Sequence, residues 1–145
     1  MRVVIIGNGS SGATCAFELR RLNKDMEIEV LDETSYTQYS PCALPYVISR
    51  EIEDFKKIFI FKENDYISNN IKLHLNTRIT EIDKKSKSIS YVKDNKQEKI
   101  NYDKLVIATG SSCNIPKIKG INNCNYHVLK NIDDTKRIAQ NIKPK

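Results

Sequence analysis

No apolar run in this 145-residue chain is long enough to cross a bilayer as a helix; the longest are about five residues, against the roughly twenty that a span requires. No signal peptide opens it: Met1-Arg2 leads straight into Val3-Val4-Ile5-Ile6 and a glycine, with no cleavage site, and the expected location is the cytoplasm. The four cysteines, Cys15, Cys42, Cys113 and Cys124, include no CxxC pair and no metal-ligand spacing, so no metal is expected and reduced thiols are the default. Repeats, low-complexity tracts and interdomain linkers are also missing. What remains is one domain over 1–145, long enough to bury a core.

Hydrophobic residues make up 39% and charged residues 29%, the balance of a globular chain and not of a disordered one. The net charge of +6 raises the question of nucleic acid. Many of the lysines, however, fall between Lys84 and Lys99 among Ser, Asp, Asn and Glu, without aromatic interleaving, which is the pattern of a solvated hairpin. No nucleic-acid or membrane partner is expected. A modest basic excess suits an anionic small molecule.

Residues 2–6, apolar from Val3 onward and followed by a glycine, read as a buried parallel strand. Residues 11–22 place Ala13, Ala16, Phe17, Leu19 and Leu22 at helical spacing, with Arg20 and Arg21 outside. Residues 27–31 form the next strand, completing a βαβ unit. Beyond a polar loop, Cys42 opens a short helix with Pro45 in its first turn, and 62–69 adds another. The segments 71–75, 77–82, 87–93 and 97–101 alternate apolar and polar and are expected to form an antiparallel meander, with turns at Asp83-Lys84-Lys85 and Lys93-Asp94-Asn95. Leu105-Val106-Ile107-Ala108 is a second buried strand closed by Thr109-Gly110. A strand near 126–129 and a helix at 132–142, capped by Asn131, follow, and the final Lys-Pro-Lys is expected to lead onward as a loop. The fold class is therefore α/β, a Rossmann-like parallel sheet with an inserted antiparallel meander.

Gly7-Asn8-Gly9-Ser10-Ser11-Gly12 fits G-x-G-x-x-G between a strand and a helix, and Asp32 lies twenty residues past Gly12. Gly7 permits a tight turn, Gly9 lets a pyrophosphate approach the backbone, and Gly12 lets the helix pack close to the strand. The free N–H groups of the helix start and its dipole favour phosphate. Asp32 would accept hydrogen bonds from ribose hydroxyls, which argues against a 2′-phosphate.

Ten residues beyond Asp32 stands Cys42, in Gln38-Tyr39-Ser40-Pro41-Cys42-Ala43-Leu44-Pro45-Tyr46-Val47-Ile48. Only a thiolate attacks a disulfide, and a helix start favours the thiolate. Position alone leaves two readings open, a redox thiol or a small buried residue. Cys15, inside the first helix, reads as structural. Cys113 and Cys124 flank a loop and carry no functional argument.

Taken together, Gly7–Gly12, Ala13-Thr14-Cys15-Ala16, Arg20-Arg21-Leu22, Asp32, Ser40–Ile48 and Tyr102–Gly110 resemble the N-terminal part of the FAD-dependent pyridine nucleotide–disulfide oxidoreductases. The closer likeness is to the single-cysteine branch of coenzyme A disulfide reductase and NADH oxidase. The resemblance implies a three-layer ββα FAD-binding domain, incomplete here, whose cofactor contacts fall on Gly7, Gly9, Ser10, Ser11, Gly12, Asp32, Glu33, Pro41, Cys42, Ile79, Ala108, Thr109 and Gly110. It makes Cys42 the catalytic residue and puts Thr14 and Arg21 beside a thiol substrate such as coenzyme A disulfide. NAD(P)H becomes the co-substrate and a homodimer the assembly of the full-length enzyme.

Several positions depart from that pattern. Val47 stands where dithiol members carry a second cysteine, so the thiol would cycle through a mixed disulfide, persulfide or sulfenic acid. Ser10 replaces the histidine of NADH peroxidases and oxidases. Glu18, Gln38, Pro41 and Asn70 replace the Gln, Ser, Asn and Lys usual in coenzyme A disulfide reductases, which bears on the identity of the thiol. The length implies only the first half of an FAD site, so the isolated chain is expected to bind FAD weakly and to lack turnover. The alternatives are a non-enzymatic nucleotide-binding or thiol redox-sensing module and an NADH oxidase segment.

Overall fold

A computed structural model describes residues 1–142. The onward loop expected at 143–145 lies outside the described residues. The chain divides into two compact units, each built from two stretches: 1–39 with 60–110, and 40–59 with the segment from Ser111 onward.

The first unit is three-layered. Its centre is a parallel sheet of β1 (Arg2–Ile6), β2 (Glu27–Leu31), β3 (Ile71–His74) and β7 (Lys104–Ile107) in the order β3-β2-β1-β7. One face carries α1 (Ser10–Leu22) and α3 (Glu63–Ser68); Val3, Ile5, Ile28, Val30 and Ile71 pack there against Ala16 and Tyr66. The other face meets an antiparallel sheet of β4 (Thr77–Asp83), β5 (Ser88–Lys93) and β6 (Lys96–Asn101) through Val4, Ile6 and Leu31 on one side and Ile89 and Tyr91 on the other. Val3 and Ile5 thus serve one core and Val4 and Ile6 the other, which is why β1 is apolar from Val3 onward.

β5 and β6 are joined by Asp94 and Asn95, both at positive φ (50° and 61°), the condition for the two-residue turn that matches strand twist. The lysine-rich segment is this hairpin, with the side chains of β6 mostly exposed.

Three expectations are corrected. Residues 71–75 do not begin the meander: β3 pairs in parallel with β2, Ile28 opposite Ile71 and Leu31 opposite His74. Its alternation has another cause, since Ile71 and Leu73 face the α1 side while Lys72 and His74 meet Glu27 and Glu29. Arg20 is not outside but 8% exposed; its guanidinium donates to the carbonyls of Lys24, Met26, Asn69 and Asn70 and clamps the C-terminal ends of α1 and α3. Residues 126–129 form no strand, because no strand lies in their unit among the described residues to complete a ladder.

The second unit holds a 3₁₀ turn at Pro41–Ala43, α2 (Leu44–Ile48), a 3₁₀ turn at Phe55–Ile58, and α4 (Ile132–Asn141), which packs on α2. Asn131 caps α4 as expected. Its Oδ1 accepts from the Asp134 N–H at 2.8 Å, and Asp134 accepts from the Asn131 N–H at 3.3 Å.

Candidate functional site

The C-terminal ends of β1, β2 and β7 bring the glycine loop, Asp32 and Ala108 together in the first unit. Gly7 N–H donates to the Leu31 carbonyl at 2.8 Å and Ala108 N–H to the Ile6 carbonyl at 2.8 Å, so the three strand ends are tied. Gly7 has φ +98°, and a Cβ there would lie 2.3 Å from the Ala108 carbonyl oxygen. A Cβ on Gly12 would lie 1.9 Å from the Gly7 carbonyl oxygen. Both glycines are demanded by packing.

Gly9 is different. Its φ is −70°, open to any residue, and nothing lies within 4 Å of where its Cβ would be. Neither strain nor protein contact demands a glycine here, and the open space suits a ligand lying against the backbone. Gly9 is also the N-cap of α1 with no side-chain cap, and the first intrahelical bond runs from Ala13 to Gly9, so the N–H groups of Ser10, Ser11 and Gly12 have no helical partner. A cradle kept clear, beside three amide donors at the positive end of a thirteen-residue helix, suits a pyrophosphate.

Asp32 follows β2 and is already engaged. Oδ2 accepts from the Asn8 N–H at 2.5 Å, and Oδ1 accepts from the Thr34 N–H at 2.8 Å and the Thr34 hydroxyl at 2.6 Å. A carboxylate offers about four acceptor positions, so roughly one is left for a ribose hydroxyl. Glu33, Thr109 and Gly110 are exposed, and Ile79 packs half-buried beneath the meander face of the sheet.

On α1, Ser11, Thr14, Glu18 and Arg21 share the exposed face. Arg21 Nε donates to Glu18 Oε2 at 2.8 Å, so Glu18 holds the arginine on this face. Cys15 is half-buried against the α1-side core, as its structural reading requires.

Pro41 and Cys42 belong to the second unit, in the 3₁₀ turn before α2. Cys42 is exposed, which removes the reading of it as a small buried residue. Leu44 and Val47 are the buried side chains of this segment, and they anchor the turn that presents the thiol. Cys113 and Cys124 are exposed as well.

Asn8 and Tyr66 were not legible as site residues. Asn8 is 3% exposed, and its Oδ1 accepts from the Tyr66 hydroxyl at 2.8 Å in the interior. Fifty-eight residues separate them, and no local pattern joins the two.

A βαβ unit with this glycine loop, an acid after its second strand and an antiparallel layer on the far face defines a nucleotide-binding α/β domain of the FAD/NAD(P) reductase kind. The whole chain, residues 1–145, matches the model of the pyridine nucleotide-disulphide oxidoreductase family, and the chain belongs to that family. Its members are FAD-dependent, with NAD(P)H as co-substrate. The chain is 39% identical over 144 residues to an NADH oxidase of Methanocaldococcus jannaschii, covering 98% of this chain and 32% of that protein. It is 31% identical over 145 residues to a coenzyme A disulfide reductase of Staphylococcus aureus, with the same coverage. Among solved structures it superposes on a NAD-dependent persulfide reductase from A. fulgidus with a TM-score of 0.88 and 30% identity, covering 97% of this chain and 27% of that one. The chain thus spans about a third of the length of the curated relatives it matches. Among the described residues, no helix is long and apolar enough to cross a membrane.

Proposed function

We propose that this chain is the N-terminal nucleotide-binding segment of a cytoplasmic, homodimeric, FAD-dependent NAD(P)H:disulfide oxidoreductase. Cys42 is its single redox cysteine, and a small disulfide or persulfide, coenzyme A disulfide among them, is its substrate. The observation that carries the reading is Gly9, a glycine with ordinary φ and open space before it at the start of α1, which suits a ligand lying against the backbone.

In this reading the N–H groups of Ser10, Ser11 and Gly12 hold the pyrophosphate, with Gly7 and Gly9 shaping the approach. The remaining acceptor position of Asp32 takes a ribose hydroxyl beside Glu33. Ile79, Ala108, Thr109 and Gly110 line the cofactor. FAD, when bound, supplies two-electron transfer between a nicotinamide and a disulfide. The Cys42 thiolate attacks one sulfur of the substrate, forming a mixed disulfide and releasing the other half as a thiolate. With Val47 where a partner thiol would stand, the mixed disulfide cannot collapse to an internal one. Thr14 and Arg21 contact the substrate from the exposed face of α1.

The relationship to the Methanocaldococcus jannaschii protein, named an NADH oxidase, favours a second reading in which oxygen is the acceptor. Steady-state assays of the intact protein separate the two. Disulfide-dependent NAD(P)H oxidation without oxygen, lost in Cys42→Ser with flavin content unchanged, supports the first. Oxygen-dependent oxidation with no response to disulfides supports the second.

A further inference from the structure

We propose that Tyr66 is a positioning residue for the nucleotide site and acts through Asn8. This inference rests on the reading of the glycine loop as the FAD site. Tyr66 lies on α3 and is 1% exposed. Its ring sits edge-on to Phe17 (5.1 Å, 61°) and Phe61 (6.3 Å, 83°), and those two rings stack at 4.0 Å. A phenylalanine would fill that space equally well. The hydroxyl is therefore unexplained by packing, and burying it has a cost unless it is bonded.

Its bond runs to the loop. The hydroxyl carries one proton, and a single donation spends it. It donates to Asn8 Oδ1 at 2.8 Å. That donation decides which way the Asn8 carboxamide faces. The other end, Nδ2, is buried and has no partner among the described residues, so Tyr66 is the sole hydrogen-bonded tether of this side chain. The Asn8 backbone N–H in turn donates to Asp32 Oδ2 at 2.5 Å. Tyr66 thus grips residue 8, and residue 8 sets both the loop between Gly7 and Gly9 and one oxygen of Asp32.

Loss of the hydroxyl leaves Asn8 Oδ1 without its donor, and the loop relaxes to recover one. The expected readout is FAD affinity. In the intact protein, stripped of flavin and titrated with FAD, Tyr66→Phe raises the dissociation constant about tenfold, the scale of one unsatisfied buried group. Asn8→Ala does the same, and the double variant is no weaker than either single, because both act on one link. Circular dichroism at the titration temperature confirms that each apoprotein is folded. Wild-type FAD affinity in Tyr66→Phe, or a double variant whose defects add, overturns the proposal. Gly9→Val is the control for the site itself: if it keeps normal FAD affinity, the underlying reading fails, whereas loss in Gly9→Val with none in Tyr66→Phe removes the Tyr66 link alone.

Discussion

A Cβ on Gly12 would stand 1.9 Å from the carbonyl oxygen of Gly7, so the first turn of α1 rests directly on the backbone of the loop that precedes it. The two outer glycines hold the fold together, and the middle one leaves room for a ligand. Substitution separates these roles. Gly12→Ala and Gly7→Ala should each lower stability by about 2 kcal/mol or more, from overpacking in both and from positive φ at Gly7. Gly9→Ala should cost less than about 1 kcal/mol, since its φ is ordinary and only the N-cap preference for glycine is lost, yet should weaken flavin binding. Urea denaturation of the three variants checks the order. A Gly9→Ala loss equal to that of Gly12→Ala would contradict it.

Arg20 is expected to matter more than its place on a helix surface pattern suggests. Arg20→Met keeps the stem but strips four or more carbonyls of their donor, and a cost of about 3 kcal/mol follows from buried acceptors left unpaired. Arg20→Lys retains the charge but offers fewer donors without the planar fork, and should fall between. Thermal melts of both variants test the ranking.

The two sheets carry opposite pH dependences. Hydrogen bonds from Arg2 and then Lys72 hold the Glu27 carboxyl down to about 2 from an ordinary 4.5. Its contribution is present above pH 4.5 and is lost as pH falls toward 2. With side chains 37% exposed, the pair contributes at most about 1 kcal/mol. Burial first, and then the bond to Glu98, push the Tyr91 phenol up to about 12 from 10.0. That contribution is present below pH 10 and disappears between 10 and 12 as the unfolded chain ionises. Glu27→Gln should flatten the acid limb of a stability–pH curve and Tyr91→Phe the alkaline limb, each leaving the other limb unchanged.

Exposure alone does not single out Cys42, since Cys113 and Cys124 are exposed too. If Cys42 is the redox thiol, it should react fastest of the four with a charged disulfide at neutral pH, and Cys15, half-buried, slowest. Site-resolved alkylation rates by mass spectrometry measure this. Faster labelling at Cys113 or Cys124 would count against the mechanism.

Glu18 holds Arg21 in an i,i+3 pair on the exposed face of α1. Glu18→Gln frees the guanidinium and removes a negative charge beside it. For a polyanionic disulfide such as coenzyme A disulfide, KM should fall several-fold, while a neutral disulfide is unaffected. Equal changes for both substrates would show that Arg21 does not meet the anion.

The βαβ unit, the glycine loop, Asp32, the hairpin turn at Asp94-Asn95 and the Asn131 cap were legible in the sequence because each is local. Period, turn chemistry and capping act within a few residues, and the glycine spacing carries its own geometric demand. Tertiary structure decided the rest. The parallel pairing of β3 with β2 depends on a strand some forty residues upstream, and alternation reads the same for an edge strand as for a meander. Arg20 looked like a surface residue because nothing nearby in the chain announces the carbonyls of Asn69 and Asn70 that bury it. Residues 126–129 read as a strand yet form none, since a strand exists only beside a neighbour. The link from Tyr66 to Asn8 is the clearest case: a hydrogen bond across 58 residues is fixed by packing on the sheet, and side-chain polarity in sequence carries no record of which partner the fold will bring.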